Sequence, residues 1–271
     1  TSHGADYFRR WHSIRENSGS LLIHKSTHHF DVINWIIGQA PISVYADCTL
    51  EFYGKNGPYR GKACHDCAHT AECPFFWDIL SHENRNYKAY YYDTYPESHY
   101  DRDGCVFAED IDIFDRMALL VKYEDGVTMN YSLVAYAPEE GPRIRFVGTK
   151  GTVEFEYFGS GPRAYSKRGT TFAEEVATTG ANVSGDKAGN IVIRVLPAGG
   201  EEQIILTGFG TGAHGGADDV MRDDIFRAPS PNDELGHVAP SIEGYYSLAI
   251  GDMAVASQRL GRAVTLDEIP D

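Results

Sequence analysis

The chain has 271 residues, of which 42% are hydrophobic and 23% charged, and its formal net charge is -15. With 17 Tyr, 13 Phe and 3 Trp it has the aromatic content of a folded domain and not of a disordered chain. The acidic balance disfavours nucleic acid and anionic membrane surfaces as partners, because both require a basic surface. A neutral sugar or polyol is compatible with it.

Cellular setting is indicated by what the sequence lacks. No apolar run approaches the ~20 residues that a membrane helix needs. The first residues show no basic segment followed by an apolar one, as a signal peptide would. The five cysteines are an odd number and three of them are crowded together, a poor disulfide framework. We therefore expect a cytoplasmic protein without a membrane span.

The first predicted elements are a helix and a strand. The helix should cover residues 27–37, with Ser26 or Thr27 as its N-cap and Gly38 as its end. Its predicted buried side comprises Phe30, Ile33, Trp35 and Ile37. Residues 41–54 alternate apolar and polar side chains as a strand does. Residues 55–110 then lose all periodicity and form a long excursion, a kind of segment that often carries function or partner contacts.

Three hairpins follow the excursion. Asp125-Gly126 joins the first pair of strands, and Gly148-Thr149-Lys150-Gly151 joins the second. The third pair covers residues 190–196 and 202–206. Between the second and third pairs, residues 159–189 are expected to form a polar loop with a short strand.

The end of the chain is predicted to be helical. Helices are expected over residues 217–226 and 240–262, followed by a short strand within 264–269. Together with the hairpins, these elements predict an α+β fold with a large, mostly antiparallel open sheet and helices on one face. We expect a single domain over residues 1–271, with the excursion of residues 55–110 inside it.

The densest polar cluster lies at the predicted start of the first helix. His24 and Lys25 precede the helix, while His28 and Asp31 share one of its faces. A histidine can relay a proton from a substrate hydroxyl at neutral pH, and a lysine can tune its neighbours. The alternative is that these are ordinary capping and surface groups. Three histidines and a lysine in six residues favour a functional site.

This segment, residues 18–38, resembles the Gly-Gly-Gly-x-Leu-x-Asp-x-Gly-x-His-x-x-Asp segment of the Gfo/Idh/MocA oxidoreductases. His28 matches the family's histidine, and Asp31 matches the later aspartate. His24 stands where the family usually has an aspartate, which leaves a proton acceptor but changes its charge. Residues 1–12, 141–154, 214–218 and 244–266 resemble further family segments in the same order.

The resemblance implies the substrate-binding, C-terminal half of an NAD- or NADP-dependent enzyme that oxidises or reduces a sugar, glycoside or cyclitol hydroxyl. His28 would relay the hydroxyl proton, and His24 and Lys25 would orient or tune it. Substrate contacts are expected from Arg10, Trp11 and His214. The resemblance also implies a homo-oligomer formed through the sheet.

A dinucleotide-binding domain is not expected within this chain. The Gly-rich fingerprint and the Glu-Lys-Pro segment of the family are missing, and the late glycine run of residues 208–216 lacks a second βαβ unit. We therefore expect the chain alone to be inactive. Two alternatives stay open: a glycosidase that uses transient oxidation by a tightly held nicotinamide, and a non-catalytic sugar-binding or dimerisation module.

Two clusters in the excursion invite separate hypotheses. Cys64, Cys67 and Cys73 have half of a zinc-site pattern, for which His69, Cys48 or Cys105 could supply a fourth ligand. The alternative is a set of reduced thiols without metal. Residues 87–95 contain five tyrosines, followed by acidic residues. Such a cluster suits a sugar-stacking pocket, a subunit contact or simple packing.

Overall fold

The computed structural model describes residues 2–138, 140–157, 182–185, 191–208, 210–227 and 233–269. The chain divides into two compact units. One contains residues 2–136 and 239–271, and we call it the helical unit. The other contains residues 137–238, and we call it the hairpin unit. Most of the predicted polar loop, residues 159–189, lies outside the described residues; within it the structure describes a strand at Asn182–Gly185.

The elements follow the predicted order. The helices are α1 (Ser2–Phe8), α2 (Arg15–Ser18), α3 (Leu21–His24), α4 (Thr27–Ile37), α5 (Arg85–Tyr87), α6 (Tyr95–Ser98), α7 (Ala217–Phe226) and α8 (Ser241–Leu260). The strands are β1 (Pro41–Thr49), β2 (Arg116–Tyr123), β3 (Thr128–Val134), β4 (Arg143–Gly148), β5 (Gly151–Tyr157), β6 (Asn182–Gly185), β7 (Ile191–Pro197), β8 (Gln203–Thr207) and β9 (Val264–Thr265). The described strands form two sheets, ordered β3-β2-β1-β9 in the helical unit and β4-β5-β7-β8-β6 in the hairpin unit. The α+β class and the three antiparallel hairpins are confirmed, with the strands distributed over two sheets.

Helix α4 has the predicted bounds, and Gly38 ends it in the left-handed conformation. Phe30 and Ile33 are buried as predicted, and Ile37 packs against the same core. Trp35 was expected to be buried but is 40% exposed. It lies two residues from both Ile33 and Ile37, which at 3.6 residues per turn places it about 200° away from them, on the opposite face.

The core of the helical unit lies between its sheet and its helices. Cross-strand pairs of β1 and β2 bury matching apolar side chains, as in Val44 opposite Val121 and Ala46 opposite Leu119. Helix α8 packs on β1 and on α4, and it places Ile250 and Met253 in this core without solvent exposure. Burial of this kind contributes about 1.5–3 kcal/mol for each large apolar side chain.

Side chains of helix α8 also accept hydrogen bonds from backbone N–H groups at the edge of strand β1. Strand β9 pairs with β1 only at Ser43 and Val44. Beyond that pairing, the backbone N–H of Ala46 donates to Ser257 Oγ at 2.9 Å, and that of Cys48 donates to Gln258 Oε1 at 2.7 Å. Side chains of α8 therefore bind the N–H groups of β1 that the short strand β9 does not reach.

The excursion between β1 and β2 is held at its start by a buried carboxylate. Asp115 is fully buried, and its two oxygens accept the backbone N–H groups of Glu51, Phe52 and Tyr53 at 2.8–2.9 Å. The residues from 50 to 115, all of them described, contain short helical turns and an isolated bridge between Ala63 and Gly104. The predicted loss of periodicity is thus matched by the structure.

The hairpin unit has its own sheet. Strands β4, β5, β7 and β8 pair antiparallel in succession, and β6 pairs in parallel with β8. Ile204 and Leu206 of β8 and Val192 of β7 are buried. Helix α7 follows β8, as predicted. Among all described helices, in either unit, there is none with the length and apolar character needed to cross a bilayer.

Candidate active site

The centre of the candidate site is His24, the last residue of α3. Its Nδ1 lies 3.0 Å from the hydroxyl oxygen of Tyr7 on α1. Its ring is also close to the rings of His12 and Trp11, at centroid distances of 5.0 and 5.8 Å. Two segments about a dozen residues apart in sequence thus assemble one aromatic cluster, which we call the Tyr7–His24 cluster: Tyr7, Trp11, His12 and His24.

His12 is the most enclosed member of this cluster. It is 1% exposed and stacks on Tyr7 at a centroid distance of 3.9 Å. Both of its ring nitrogens are buried without a hydrogen-bond partner among the described residues. Burial, followed by the nearby positive charge of Arg10, lowers the pKa of His12 from 6.5 to about 4. His12 is therefore neutral at physiological pH.

His24 is also held neutral. Burial lowers its pKa below 6.5, and the neighbouring charges of Lys25, Arg10 and His28 lower it further. Burial raises the pKa of Tyr7 to about 12, so this hydroxyl keeps its proton. A protonated hydroxyl can donate to Nδ1, which leaves the ring hydrogen of His24 on Nε2. In that tautomer Nε2–H is a donor available to a substrate oxygen.

Two glycines bring α3 to this position. Gly19 ends α2 with a φ of 72°, a conformation that favours glycine, and the chain then turns directly into α3. Gly251 lies where α8 crosses α3, and a Cβ built there would meet Leu22 O at 2.9 Å. The close approach of α8 therefore fixes α3, and with it the position of His24.

His28 is exposed in the first turn of α4, one turn beyond His24 in the chain. Its backbone N–H donates to Lys25 O at 3.2 Å. Its charge contributes to the lowered pKa of His24. Lys25 is exposed and acts on His24 in the same way. The three residues predicted to be catalytic, His24, Lys25 and His28, thus lie within one stretch of five residues from the end of α3 to the first turn of α4, and their catalytic roles stay predictions.

His29, the next residue in α4, contacts strand β3. His29 Nδ1 lies 2.9 Å from the hydroxyl oxygen of Tyr131, and that hydroxyl donates to Ser26 Oγ at 3.0 Å. This chain of contacts joins the start of α4 to β3. His29 therefore anchors the helix that carries His28, away from the Tyr7–His24 cluster.

The predicted substrate contacts are divided between the two units. In the helical unit, Arg10 lies 3.9 Å from the carboxylate of Asp6, and its Nε is buried without a hydrogen-bond partner among the described residues. Trp11 is 46% exposed and can offer a ring face. In the hairpin unit, His214 Nδ1 lies 2.8 Å from Asp218 Oδ1, and its side chain is 82% exposed. Substrate contact by these three residues stays a prediction.

The predicted metal ligands line one small cavity. Cys64, Cys67 and Cys73 border it together with His69 and Cys105, and its volume is about 20 Å³. Cys48 lies elsewhere, on β1, where burial raises the pKa of its thiol to about 11. Arg9 Nη1 donates to Cys64 Sγ at 3.1 Å, and burial raises the pKa of that thiol. In the part of the chain that the structure describes, all five cysteines are free thiols.

These sulfur atoms are not gathered at metal-ligand spacing. Among the described residues, the only group of three or more candidate ligand atoms within 4.8 Å of one another is His65, Asp101 and Asp103. A tetrahedral zinc site requires sulfur atoms about 2.3 Å from one ion, so binding would draw the three thiols together. Zinc at these cysteines stays a prediction.

Sequence reasoning missed two members of the cluster, Tyr7 and His12. Their spacing from His24 carries no helical or strand period, because a turn at Gly19 intervenes. Burial of a histidine without partners cannot be read from sequence, since it depends on packing across α1, α2 and α3. The polar run around His24 was the signal that the sequence offered for this region.

Comparisons with known proteins identify the family. The sequence model of the Gfo/Idh/MocA oxidoreductase family, C-terminal alpha/beta domain, matches residues 1–266. "Putative oxidoreductase YteT" of Bacillus subtilis (strain 168) is 32% identical in an alignment 268 positions long that covers 93% of this chain and 57% of that protein. The chain therefore belongs to the Gfo/Idh/MocA oxidoreductase family and corresponds to its C-terminal domain.

Solved structures agree on the fold. An aldose-aldose oxidoreductase from Caulobacter crescentus, complexed with glycerol, matches 95% of this chain and 51% of its own, with a TM-score of 0.51 and 14% identity. An oxidoreductase domain protein from Kribbella flavida matches 96% of this chain and 54% of its own, with a TM-score of 0.51 and 13% identity. At these identities the likeness shows the fold alone. The chain spans about half the length of the relatives it matches.

Proposed function

We propose that this chain is the substrate-binding half of an NAD- or NADP-dependent oxidoreductase that acts on a hydroxyl group of a sugar, glycoside or cyclitol. Membership of an oxidoreductase family supports the reaction class. The acidic charge of the chain favours a neutral substrate over an anionic one. The substrate class and the cofactor are our inference from the site.

The observation that carries the proposal is a half-buried His24 that is held neutral, followed four positions later in the chain by an exposed His28. His24 is oriented by the hydroxyl of Tyr7, and its lowered pKa keeps it uncharged. His28 is exposed in the first turn of α4. One ring is thus fixed as a hydrogen-bond donor, while the other is free to accept and release a proton.

Oxidation of a carbinol removes one proton and one hydride. In our proposal the Nε2–H of His24 binds the substrate oxygen, and His28 accepts the hydroxyl proton. Lys25 lowers the pKa of His24 through its charge and steadies the developing negative charge on the oxygen. Arg10 and Trp11 hold other parts of the substrate, the first by hydrogen bonds and the second by its ring face.

The hydride acceptor is a nicotinamide, which these residues are not suited to hold. A dinucleotide site requires parallel strands joined by a helix and a Gly-rich turn at the helix start. Within the described ranges the parallel pair is β6 with β8, and β7 lies between them along the chain instead of a helix. We therefore propose that the nucleotide binds to a part of the full-length protein outside this chain.

The experiment uses the full-length protein that contains this chain. Nicotinamide reduction is followed with NAD and with NADP across a panel of sugars, glycosides and cyclitols. The 271-residue chain alone serves as a control and should show no reduction. Net reduction with a neutral polyhydroxyl substrate supports the proposal. Release of an aglycone without net reduction would instead indicate a redox-neutral glycosidase, and binding without either reaction a non-catalytic module.

We also propose a cytoplasmic homo-oligomer formed through the sheet of the helical unit. The sheet face away from α8 exposes large side chains, among them Tyr45 at 49% and Leu120 at 39%. Burial of such residues against a second copy would be favourable. The free thiols are consistent with a reducing compartment. The molar mass of the full-length protein in solution tests the oligomer.

A further inference from the structure

The excursion between β1 and β2 gathers four cysteines and a histidine around one small cavity, which we call the thiol cavity: Cys64, Cys67, His69, Cys73 and Cys105. Much of the remaining wall is apolar and is formed by Tyr59, Phe75, Phe76 and Val106. The volume of the cavity is about 20 Å³. One water molecule needs about 10–15 Å³. The thiol cavity therefore accepts a single ion or water molecule and excludes an organic ligand.

The residues around the thiol cavity are not sealed from solvent. Cys64 is the most buried of the five at 8% exposure, whereas Cys67, His69, Cys73 and Cys105 are each partly exposed. A structural metal site is moreover assembled while its segment folds, so the ion does not have to pass through a finished wall. A metal ion can thus reach these side chains.

The backbone holds Cys64 and Cys105 on one face of a short antiparallel ladder. Their N–H groups donate across the bridge between Ala63 and Gly104, at 2.9 and 3.0 Å. Each cysteine is one position away from the bridge. Because successive residues of an extended chain point to opposite faces, both cysteines lie on the face opposite to Ala63 and Gly104. Two thiols from distant parts of the excursion are therefore fixed side by side.

Two tight turns bring the other cysteines to the same cavity. The N–H of Cys67 donates to Cys64 O at 3.3 Å, and the N–H of Cys73 donates to His69 O at 3.0 Å. The N–H of His69 also donates to Cys67 Sγ at 3.4 Å. The Cys-x-x-Cys spacing of the first turn is one that structural zinc sites use, and N–H groups directed at sulfur stabilise its thiolate form.

A buried guanidinium lies against the most buried thiol. Arg9 is 9% exposed, and its Nη1 donates to Cys64 Sγ at 3.1 Å. The other acceptors of this guanidinium, in the part of the chain that the structure describes, are the carbonyl oxygens of Gly104 and Phe75. A buried positive charge is stabilised by a neighbouring anion. A metal ion that displaces the proton of Cys64 would leave a thiolate in contact with Arg9.

We propose that Cys64, Cys67, Cys73 and Cys105 bind one zinc ion as a structural site of the excursion. Each thiol releases its proton to solvent, and the four sulfur atoms surround the ion as a tetrahedron. Thiolates select zinc over calcium and magnesium, which prefer oxygen ligands. Four protein ligands leave no position open for water or substrate, so the site stabilises the fold and takes no part in the reaction.

Binding requires a local rearrangement of the cysteine side chains. Among the described residues the sulfur atoms are not gathered at metal-ligand spacing, and each must come to about 2.3 Å from the ion. Rotation of a cysteine about χ1 moves its sulfur atom between staggered positions without moving the backbone. The ladder that carries Cys64 and Cys105 can therefore stay as it is while the sulfur atoms converge.

His69 is the competing fourth ligand, because it lines the same cavity. Its ring packs near the ring of Tyr59, at a centroid distance of 5.6 Å, and its backbone N–H is already bonded to Cys67. Cys105 instead lies on the same face of the ladder as Cys64. We therefore assign the fourth position to Cys105 and place His69 beside the site.

The test measures zinc in the full-length protein that contains this chain, purified under reducing conditions from medium supplied with zinc. Elemental analysis and native mass spectrometry give the zinc content, and competition with a chelator gives the affinity. The test variants are Cys73→Ser, Cys105→Ser and His69→Ala. Cys48→Ser is the matched control, because Cys48 is a buried thiol on β1 that does not line the thiol cavity.

We expect one zinc ion per chain in the wild type, in Cys48→Ser and in His69→Ala. In Cys73→Ser and Cys105→Ser the zinc affinity should fall about a hundredfold or more, since even partners of metal ligands are worth 10–100-fold. Equal affinity in Cys105→Ser and Cys48→Ser would overturn the assignment. So would loss of zinc in His69→Ala, or a wild-type protein that neither contains zinc nor takes it up.

Cobalt substitution of the wild type tests the same site without any variant that has to fold. Co²⁺ in place of zinc should give the strong thiolate-to-metal charge-transfer absorption of a tetrahedral four-sulfur site. Weak, octahedral-type absorption would contradict the proposal, as would a disulfide between any two of the four cysteines in the reduced, purified protein. Turnover is not measured in either experiment, so the result is independent of the proposed reaction.

Discussion

The buried position of His12 beside His24 has a cost in folding free energy. Its ring is almost wholly buried between Tyr7, Trp11 and His24, and neither of its nitrogens has a partner among the described residues. A phenylalanine of similar size would pack there without that cost. We infer that the imidazole is kept neutral by its surroundings and not by an ion pair.

The lowered pKa of His12 makes the stability of the protein depend on pH. In the unfolded chain His12 binds a proton near pH 6.5, whereas in the folded protein it does so only near 4. Stability from this residue is therefore present above the unfolded pKa and is lost as the pH falls towards 4. The loss between about pH 7 and pH 5 should be roughly 2 kcal/mol.

The variant His12→Phe should not show this loss. Its unfolding free energy at pH 7 should equal or exceed that of the wild type, and its decline towards pH 5 should be smaller by the same amount. Urea unfolding of both proteins at the two pH values measures the difference. Parallel declines in the two proteins would contradict the assignment of a buried, neutral His12.

Tyr7 has a role that can be separated from packing. Tyr7→Phe keeps the ring that stacks on His12 but removes the hydroxyl 3.0 Å from His24 Nδ1. We expect His24 to change from a single Nε2–H tautomer to a mixture, which nitrogen chemical shifts of the imidazole report. In the full-length enzyme kcat should fall about tenfold, the worth of one hydrogen bond. An Nδ1–H tautomer in the wild type would contradict the orientation we describe.

At the scale of elements, the contact of α8 with α3 determines where the site forms. In Gly251→Ala, the new Cβ would lie 2.9 Å from Leu22 O and 3.0 Å from Ile23 Cγ1. Overpacking of this kind costs about 1–3 kcal/mol. The variant should therefore melt at a lower temperature, and the displacement of α3 should reduce turnover as well.

Gly244 provides the control within the same helix. A Cβ there would meet nothing within 4 Å, so Gly244→Ala should gain about 0.5–1 kcal/mol from helix propensity. Melting temperatures of the two variants should move in opposite directions. If Gly251→Ala were as stable as the wild type, α3 would not be fixed by close contact with α8.

The elements also show which parts of the fold the sequence could predict. Helix α4 and the three hairpins were predictable because helical period, turn glycines and alternation act within a few residues. The path of the chain within the excursion was not predictable, because its turns are held by distant contacts such as Asp115 with Tyr53 and Arg9 with Cys64. The prediction that Trp35 is buried was wrong because its side chain, although apolar, lies on the opposite face of α4 from Ile33 and Ile37.

The same distinction applies to the candidate site. His24, Lys25 and His28 are close in sequence, so their cluster was visible as a polar run. Tyr7 and His12 join them only through the turn at Gly19 and the packing of α3. In the excursion, the contact of Asp103 with His65 likewise joins residues that lie 38 positions apart in the chain. No local pattern records such a contact.

At the scale of the whole molecule, we propose that this acidic chain of an oxidoreductase family supplies the groups for binding substrate and moving a proton. It spans about half the length of the relatives it matches. In the division we propose, hydride chemistry requires a nucleotide bound elsewhere in the full-length protein. In the same proposal, residues of the helical unit hold the substrate hydroxyl and accept its proton. This division of labour is the central claim.

The most direct measurement is turnover of the full-length protein with His28 replaced by alanine, with and without added imidazole. We predict a loss in kcat of about a hundredfold or more, partly restored by imidazole, because a free base can replace the missing proton acceptor. His29→Ala, adjacent in α4 but bound to Tyr131, should retain most of the activity. Wild-type kcat in His28→Ala would contradict the claim that this chain moves the substrate proton through His28.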